Sequence, residues 1–148
     1  MKLLSIQVGQ PRTLPNPSIV DASRTWTTGF YKEPVLGPVW LGKTNLVGDG
    51  QADLVNHGGI DKAVNVYPFD HFAFWQEDLN IPALPTGAFG ENFTTQGFIE
   101  KDISVGDIFT LGEALVQVSQ PRQPCWKLSR RWQIKDLAAF VIQYGLAA

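Results

Sequence analysis

ISVGDIFTLGEALVQVS, residues 103–119, is the stretch that decides the predicted fold class. It consists of two runs rich in aliphatic and β-branched residues, joined by the pair Gly112-Glu113. Such runs on either side of a two-residue, glycine-containing turn are typical of a β-hairpin. We therefore predict two antiparallel strands, over residues 103–111 and 114–119.

The rest of the chain contains short segments of the same kind, separated by turn residues. Strand composition recurs at residues 3–8, 35–41 and 63–67. The 14 glycines and 10 prolines are spread throughout, so each regular element must be short. Many short strands with turns between them favour a mainly all-β fold, a small β-barrel with a few flanking helices.

Two stretches have the spacing of apolar residues that is typical of amphipathic helices. The first begins at Pro68, and the second covers residues 133–144. Their apolar residues are Phe69, Phe72, Trp75 and Leu79 in the first, and Ile134, Leu137, Phe140 and Val141 in the second. We expect a single domain over residues 1–148, with the barrel in about 1–132 and a short C-terminal helix in about 133–144.

Length and composition exclude several classes of protein. A chain of 148 residues, 44% hydrophobic and 18% charged, has the composition of one packed domain rather than a disordered chain. The formal net charge of −2 gives no reason to expect nucleic acid or an anionic membrane as partner. The single cysteine cannot form an internal disulfide or a multi-thiolate zinc site. Without an apolar run of roughly 20 residues or a signal-peptide core, we expect a cytoplasmic protein.

The first group of chemically useful residues is His57-Gly58-Gly59, with Lys62 shortly after it. Glycine lets the backbone approach a ligand closely and present N–H groups to an anion. The group is therefore a candidate anion-binding loop, in which a side chain at Gly59 should obstruct the ligand. On residue types alone, a tight turn with His57 at the surface is the simpler interpretation.

Glu91 and Asn92 form the second group. They stand between Phe89 and Phe93, in a segment bracketed by glycines. Polar side chains held between apolar anchors are common in ligand pockets. A wide turn whose phenylalanines enter the core explains the pattern as well, so both interpretations stay open.

The third group surrounds Cys125. Pro121 and Pro124 lack N–H groups and have fixed φ angles, which predicts a stiff loop. Nearby positive charge favours the thiolate, which is the form that binds metals. A lone cysteine is more often an inert core residue, but these neighbours make Cys125 a candidate nucleophile or metal ligand. Positions 120–135 contain no acidic residue and five basic ones, Arg122, Lys127, Arg130, Arg131 and Lys135.

Two other arrangements of these residue types receive less support. His57, His71 and Cys125 together have zinc-binding side chains, but their spacing matches no established zinc pattern. A Cys–His protease would need an activated thiol, and the Pro-Cys-Trp sequence predicts no helix N-terminus beside Cys125.

Taken together, the three groups resemble the MOSC domain, the C-terminal module of molybdenum-cofactor sulfurases. Within that family the sequence is most similar to the stand-alone bacterial YiiM-like proteins. The similarity covers about residues 1–132, and three motifs in order are more specific than any one alone. The motifs are His57-Gly58-Gly59-x-Asp61-Lys62-Ala63, Gly87-x-Phe89-Gly90-Glu91-Asn92 and Gln120-Pro121-Arg122-x-Pro124-Cys125-Trp126-Lys127.

The resemblance implies binding of the molybdenum cofactor, with Cys125 as the ligand to molybdenum or as a persulfide carrier. It also implies reduction of N-hydroxylated compounds such as 6-hydroxylaminopurine, as in YiiM-like relatives and the related mitochondrial amidoxime-reducing component. A soft thiolate suits molybdenum, and basic side chains with glycine N–H groups suit the phosphate of the pterin. The implied cofactor and substrate contacts are His57, Gly58, Gly59, Lys62, Glu91, Asn92, Arg122 and Lys127.

Electrons for this reduction would come from a separate reductase, a flavin or iron–sulfur protein, since the sequence contains no motif for such a group. The expected partners are that reductase and a small N-hydroxylated substrate, with no nucleic acid and no membrane; a homodimer is compatible with the sequence. A persulfide or cofactor carrier and a non-catalytic interaction module are the alternative functions. YiiM-like chains continue past the cysteine motif into a helical region, so the resemblance predicts a naturally short form or a piece of a longer chain.

Overall fold

Short strands and short helices succeed one another along the chain. The computed structural model describes residues 2–15, 25–81 and 83–147. The strands are β1 (Lys2–Val8), β2 (Arg12–Pro15), β3 (Thr25–Thr28), β4 (Glu33–Val35), β5 (Val66–Pro68), β6 (Phe93–Gln96), β7 (Ile108–Leu111) and β8 (Ala114–Gln117). The helices are α1 (Phe72–Asp78), α2 (Trp126–Trp132) and α3 (Leu137–Gln143), with single 3-10 turns at Ile60–Lys62, Phe69–His71 and Glu100–Asp102.

A four-stranded sheet in the order β4-β1-β6-β5 forms the centre of the described structure. β1 is antiparallel to both β4 and β6, whereas β5 is parallel to β6. The pairs β2–β3 and β7–β8 form separate two-stranded ribbons. The prediction of a mainly β fold is confirmed, but the predicted closed barrel is not found in the described residues. Closure requires strands paired without an edge, and these short strands instead divide into three sheets.

The hairpin predicted from residues 103–119 is confirmed in its central part. Ile108 pairs with Gln117, and Leu111 pairs with Ala114 beside the turn. Residues 103–107 lie outside the strand because the Ser104 backbone N–H donates to the Asp107 carboxylate, at 2.8 Å, which closes a turn.

The predicted strand over residues 35–41 is wrong in most of its length. Val35 ends β4, and Gly37 has a φ of 84°, a conformation that takes the chain out of a strand. Pro38 then lacks the N–H needed to continue a ladder. In the segment predicted as a strand over residues 63–67, β5 begins only at Val66 and includes Pro68.

Both predicted helices are present, with later starts. A 3-10 turn separates Pro68 from α1, in which Phe72 and Trp75 are buried as predicted. α3 begins at Leu137, because Gln133 and Asp136 adopt left-handed conformations with φ of 55° and 61°. Helix α2 was not predicted. None of the described helices is long and apolar enough to cross a bilayer.

The hydrophobic core lies between the helices and the β5–β6 end of the sheet. Tyr67 is at its centre: its ring stacks on Phe89 with centroids 4.1 Å apart. The Tyr67 hydroxyl accepts from Trp75 Nε1 at 2.8 Å and donates to the Leu146 carbonyl at 2.9 Å. Burial raises the pKa of Tyr67 well above its ordinary value. The buried members are Tyr67, Phe72, Trp75, Leu84, Ala88, Phe89, Leu128, Leu137 and Val141. The core therefore holds the Gly87–Asn92 motif beside α2.

Candidate functional site

A cavity of about 90 Å³ lies where the three sequence motifs meet. Its wall also includes Lys32, Phe30 and Tyr67. Pockets that enclose a whole small ligand measure roughly 300–1,000 Å³, so this cavity is of a size to take up one end of a larger ligand. The predicted site residues in its lining are His57, Lys62, Asn92, Arg122, Cys125 and Lys127.

Cys125 is a free, half-buried cysteine in the wall of this cavity. Its backbone is extended, with φ −119° and ψ 167°, and α2 begins at the next residue. The loop predicted from the flanking prolines is confirmed, but the expectation of no helix beside the thiol is wrong. No capping side chain marks the start of α2. The helix is instead held by Leu128, which is buried in the core.

Arg122 is a partly buried cation on the same wall. Within the described ranges the ion pairs are Lys32–Asp49 and His71–Glu100, so the Arg122 guanidinium has no carboxylate partner there. Burial lowers the pKa of Arg122, and the nearby Cys125 acts in the opposite direction. A cation that is taken partly out of water without an acidic partner is best stabilised by an anionic ligand.

His57 brings a titratable group to the cavity. Burial lowers the pKa of its imidazole, the positive charges of Arg122 and Lys127 lower it further, and Asp53 opposes them. His57 is thus held towards the neutral form. In the described part of the chain it makes no hydrogen bond to Cys125, so the Cys–His protease arrangement is not formed.

The zinc arrangement is not formed either. His71 lies at the start of α1, where its Nε2 is 2.7 Å from Glu100 Oε2. It is absent from the lining of the cavity that holds His57 and Cys125. Over residues 2–15, 25–81 and 83–147, no group of three or more His, Cys, Asp or Glu side chains is placed to hold a metal ion.

The position of His57 leads to a testable pKa. We expect its imidazole to titrate below its ordinary value of 6.5, and Arg122→Gln to raise that pKa because a nearby positive charge is removed. Between this lowered pKa and 6.5, the unfolded chain binds more protons than the folded chain. His57 therefore makes the free energy of unfolding fall as the pH falls through that range. Titration by NMR checks this, with Arg130→Gln as control. If the His57 pKa did not change in the Arg122→Gln protein, the placement of His57 and Arg122 in one cavity would be contradicted.

Gly58 and Gly59 lie outside the cavity lining. A Cβ on Gly58 would lie 3.0 Å from Leu54 Cα, so Gly58 is required for a close approach of two backbones. Gly59 has a φ of 100°, which favours glycine, while the space around it is open. The two glycines therefore shape the loop that places His57 and Lys62 in the wall, and Lys62 Nζ secures it by donating to the Asn56 carbonyl at 2.7 Å.

Glu91 is fully buried and does not line the cavity. Its carboxylate accepts hydrogen bonds from the backbone N–H of Gly87 at 2.6 Å and of Phe89 at 2.9 Å, and from the Thr94 hydroxyl at 2.8 Å. Burial raises the pKa of Glu91, and these hydrogen bonds act in the opposite direction. Glu91 therefore orders the loop beneath the cavity from within the protein.

Asn92 lines the cavity, but both ends of its amide are engaged within the protein. Its Nδ2 donates to the Gln7 carbonyl at 3.1 Å, and its Oδ1 accepts from the Asn65 backbone N–H at 3.1 Å. The side chain thereby joins β1 to the segment before β5. Asn92 therefore positions the wall, and these two bonds leave one N–H and one lone pair of its amide.

Sequence reasoning missed Lys32, which lines the cavity. Lys32 is buried and forms an ion pair with the buried Asp49, which also accepts from the Gly9 backbone N–H at 3.0 Å. Burial lowers the pKa of Lys32, whereas Asp49 raises it. The signal in the sequence was faint: Lys32 follows the aromatic pair Phe30-Tyr31, and its partner is 17 positions away.

Arg131 was noted only as one of the basic residues near Cys125. Its guanidinium turns inward and donates to the Gly87 carbonyl at 2.7 Å and the Phe30 carbonyl at 3.3 Å. Burial lowers its pKa, and Glu91 opposes this. Arg131 thus ties α2 to the loop that Glu91 orders.

Known proteins match almost the whole chain. YflK from Bacillus subtilis is 49% identical over 143 residues, which cover 97% of this chain and 62% of YflK. The crystal structure of YiiM from Geobacillus stearothermophilus matches at a TM-score of 0.74 and 41% identity, covering 99% of this chain and 64% of that one. A protein named Reductase from Gibberella moniliformis is 39% identical over 124 residues, which cover 82% of this chain and 22% of that protein.

The chain spans less than two thirds of the length of each of these relatives. The family model of the MOSC domain matches residues 53–146, a range that contains all three predicted motifs. The predicted resemblance to stand-alone YiiM-like proteins is confirmed. The chain therefore belongs to the MOSC domain family.

Proposed function

We propose that this protein binds the molybdenum cofactor through Cys125 and reduces N-hydroxylated compounds of the 6-hydroxylaminopurine type. The observation that carries the proposal is that one cavity wall brings together the free thiol of Cys125 and the guanidinium of Arg122, which has no carboxylate partner among the described residues. MOSC domains are associated with molybdenum-cofactor binding, and the Gibberella relative is named a reductase. Both facts support the proposal.

The lining residues fit such a cofactor chemically. A thiolate is a soft ligand of the kind that second- and third-row metals prefer, and Cys125 supplies it. Arg122 and Lys127 supply charge-assisted donors for a phosphate group. Because the cavity measures about 90 Å³, we expect it to hold one end of the cofactor and not all of it.

The reaction consumes two electrons and two protons: R–NHOH gives R–NH₂ and water as the N–O bond breaks. When bound, the cofactor would supply the two-electron redox chemistry. The protein would bind the anionic end through Arg122, exclude water with Phe30 and Tyr67, and provide protons. Lys32 is the lining residue proposed to donate them, since burial lowers the pKa of its ammonium although the ion pair with Asp49 acts in the opposite direction.

An anaerobic reduction assay tests the proposal. Protein purified from cells that make the cofactor, supplied with reduced methyl viologen, should convert 6-hydroxylaminopurine to adenine with consumption of two electrons per product. Protein from cells unable to make the cofactor is the matched control and should be inactive. Molybdenum-loaded protein without turnover would contradict the reductase; a persulfide on Cys125 in the intact mass would then favour the carrier.

A further inference from the structure

We propose that the outer side of α2 docks the electron donor, and that the donor is an acidic one-electron carrier protein of the flavodoxin or ferredoxin kind. The basic α2 surface consists of Trp126, Lys127, Arg130 and Lys135. The inference deepens the proposed reductase function and rests on it. Three features carry it: a rigid exposed indole, an excess of positive charge, and the position of this surface beside Cys125.

Trp126 is an exposed aromatic residue held in a fixed orientation. Its side chain is 53% exposed, whereas Trp26 behind it is only 7% exposed, and their ring centroids are 5.6 Å apart. The Arg130 guanidinium lies 4.3 Å from the Trp126 centroid and 5.2 Å from that of Trp26. Tryptophan and arginine dominate the binding energy of protein interfaces. A preordered indole also loses little entropy on binding.

The charge of this surface is opposite to that of the whole chain. Arg130 and Lys135 line the groove between α2 and α3, where Asp136 is the acidic residue among the described lining residues. The chain itself has a net charge of −2. Lys127 Nζ is 5.8 Å from the Trp126 ring centroid, so cation and indole form one continuous patch. Such a patch steers an acidic partner towards it and fixes its orientation.

The basic α2 surface adjoins the cavity, and Lys127 belongs to both. Cys125 and Lys127 line the cavity, whereas Trp126, which stands between them in the chain, lines the groove between α2 and α3. A carrier protein bound at Trp126 would therefore contact the residue that directly follows Cys125, the proposed metal ligand.

Charge reversal on this surface tests the inference. Arg130→Glu with Lys135→Glu should weaken binding of an acidic flavodoxin, measured by titration calorimetry at low salt, by about tenfold or more. Lys43→Glu with Lys101→Glu makes the same change in net charge at exposed positions on other segments, and should change the affinity by less than about twofold. Lys135→Glu alone changes an exposed position and leaves the stacking of Arg130 on Trp126 intact. It should therefore show part of the loss of flavodoxin affinity.

Two donors separate docking from chemistry. Flavodoxin-driven turnover should fall in the Arg130→Glu/Lys135→Glu protein, while turnover driven by reduced methyl viologen should equal that of the control pair. Equal flavodoxin affinity in the two double variants would overturn the docking surface, as would a wild-type protein that binds neither flavodoxin nor ferredoxin. If methyl viologen drives no turnover in any of the proteins but the difference in affinity is present, the reductase proposal fails and the docking surface stands.

Discussion

Cys125→Ser should reduce molybdenum-dependent turnover to background while the protein stays folded. Serine is nearly isosteric with cysteine, but its hydroxyl is hard and ionises far less readily than a thiol. The proposed ligand to the metal is therefore lost with little change in shape. A cysteine that merely filled space would cost only about 1–2 kcal/mol on burying a hydroxyl.

Turnover, molybdenum content and thermal midpoint should be measured on the same preparation of the Cys125→Ser protein. We expect the midpoint to fall by only a few degrees, since about 1 kcal/mol corresponds to roughly 2–4 °C for a chain of this size. A loss of activity that simply follows unfolding would indicate a structural cysteine. Full turnover by the folded variant would refute the assignment of Cys125.

Glu91→Ala should be among the most destabilising single changes in the chain. Its carboxylate accepts three hydrogen bonds in the interior, from Gly87, Phe89 and Thr94. Alanine leaves all three donors without an acceptor and opens a void under the cavity. Each buried donor left unpaired costs about 1–3 kcal/mol, so we expect the free energy of unfolding to fall by about 3–5 kcal/mol.

Urea denaturation measures this effect, with Glu113→Ala as the matched control. Glu113 is exposed in the turn between β7 and β8, and its replacement should change stability by no more than about 0.5 kcal/mol. Glu91→Gln keeps one acceptor but turns an amide donor towards an N–H group, so its cost should lie between the two. If Glu91→Ala were as stable as Glu113→Ala, the hydrogen bonds assigned to Glu91 would not contribute to the fold.

The elements that the sequence predicted correctly depend on local signals. The hairpin follows from a glycine-containing turn between two strand-forming runs, and α1 follows from the spacing of Phe72 and Trp75. The three motifs also pointed to the residues that the structure brings together, with Arg122 and Cys125 on one wall. Local chemistry, such as proline and charge around Cys125, was enough to identify that segment.

The features that escaped prediction depend on contacts between distant parts of the chain. α2 has no capping signal, and the burial of Leu128 against the core holds it. Lys32 is a cavity residue because Asp49 pairs with it in the interior. Glu91 looked like a pocket residue because its neighbours are glycines and phenylalanines, yet those neighbours' backbone N–H groups are what its carboxylate binds. The division of the strands into separate sheets is likewise a property of the whole chain.

The molybdenum content of the purified protein tests the central claim most directly. Protein from cells that synthesise the cofactor, analysed by elemental mass spectrometry beside the Cys125→Ser variant, should contain near-stoichiometric molybdenum that the variant lacks. Arg122→Gln should lower the molybdenum content, because it removes the guanidinium that is proposed to bind the anionic end of the cofactor. A folded wild-type protein that contains no molybdenum, or a Cys125→Ser protein that retains it in full, would contradict the account.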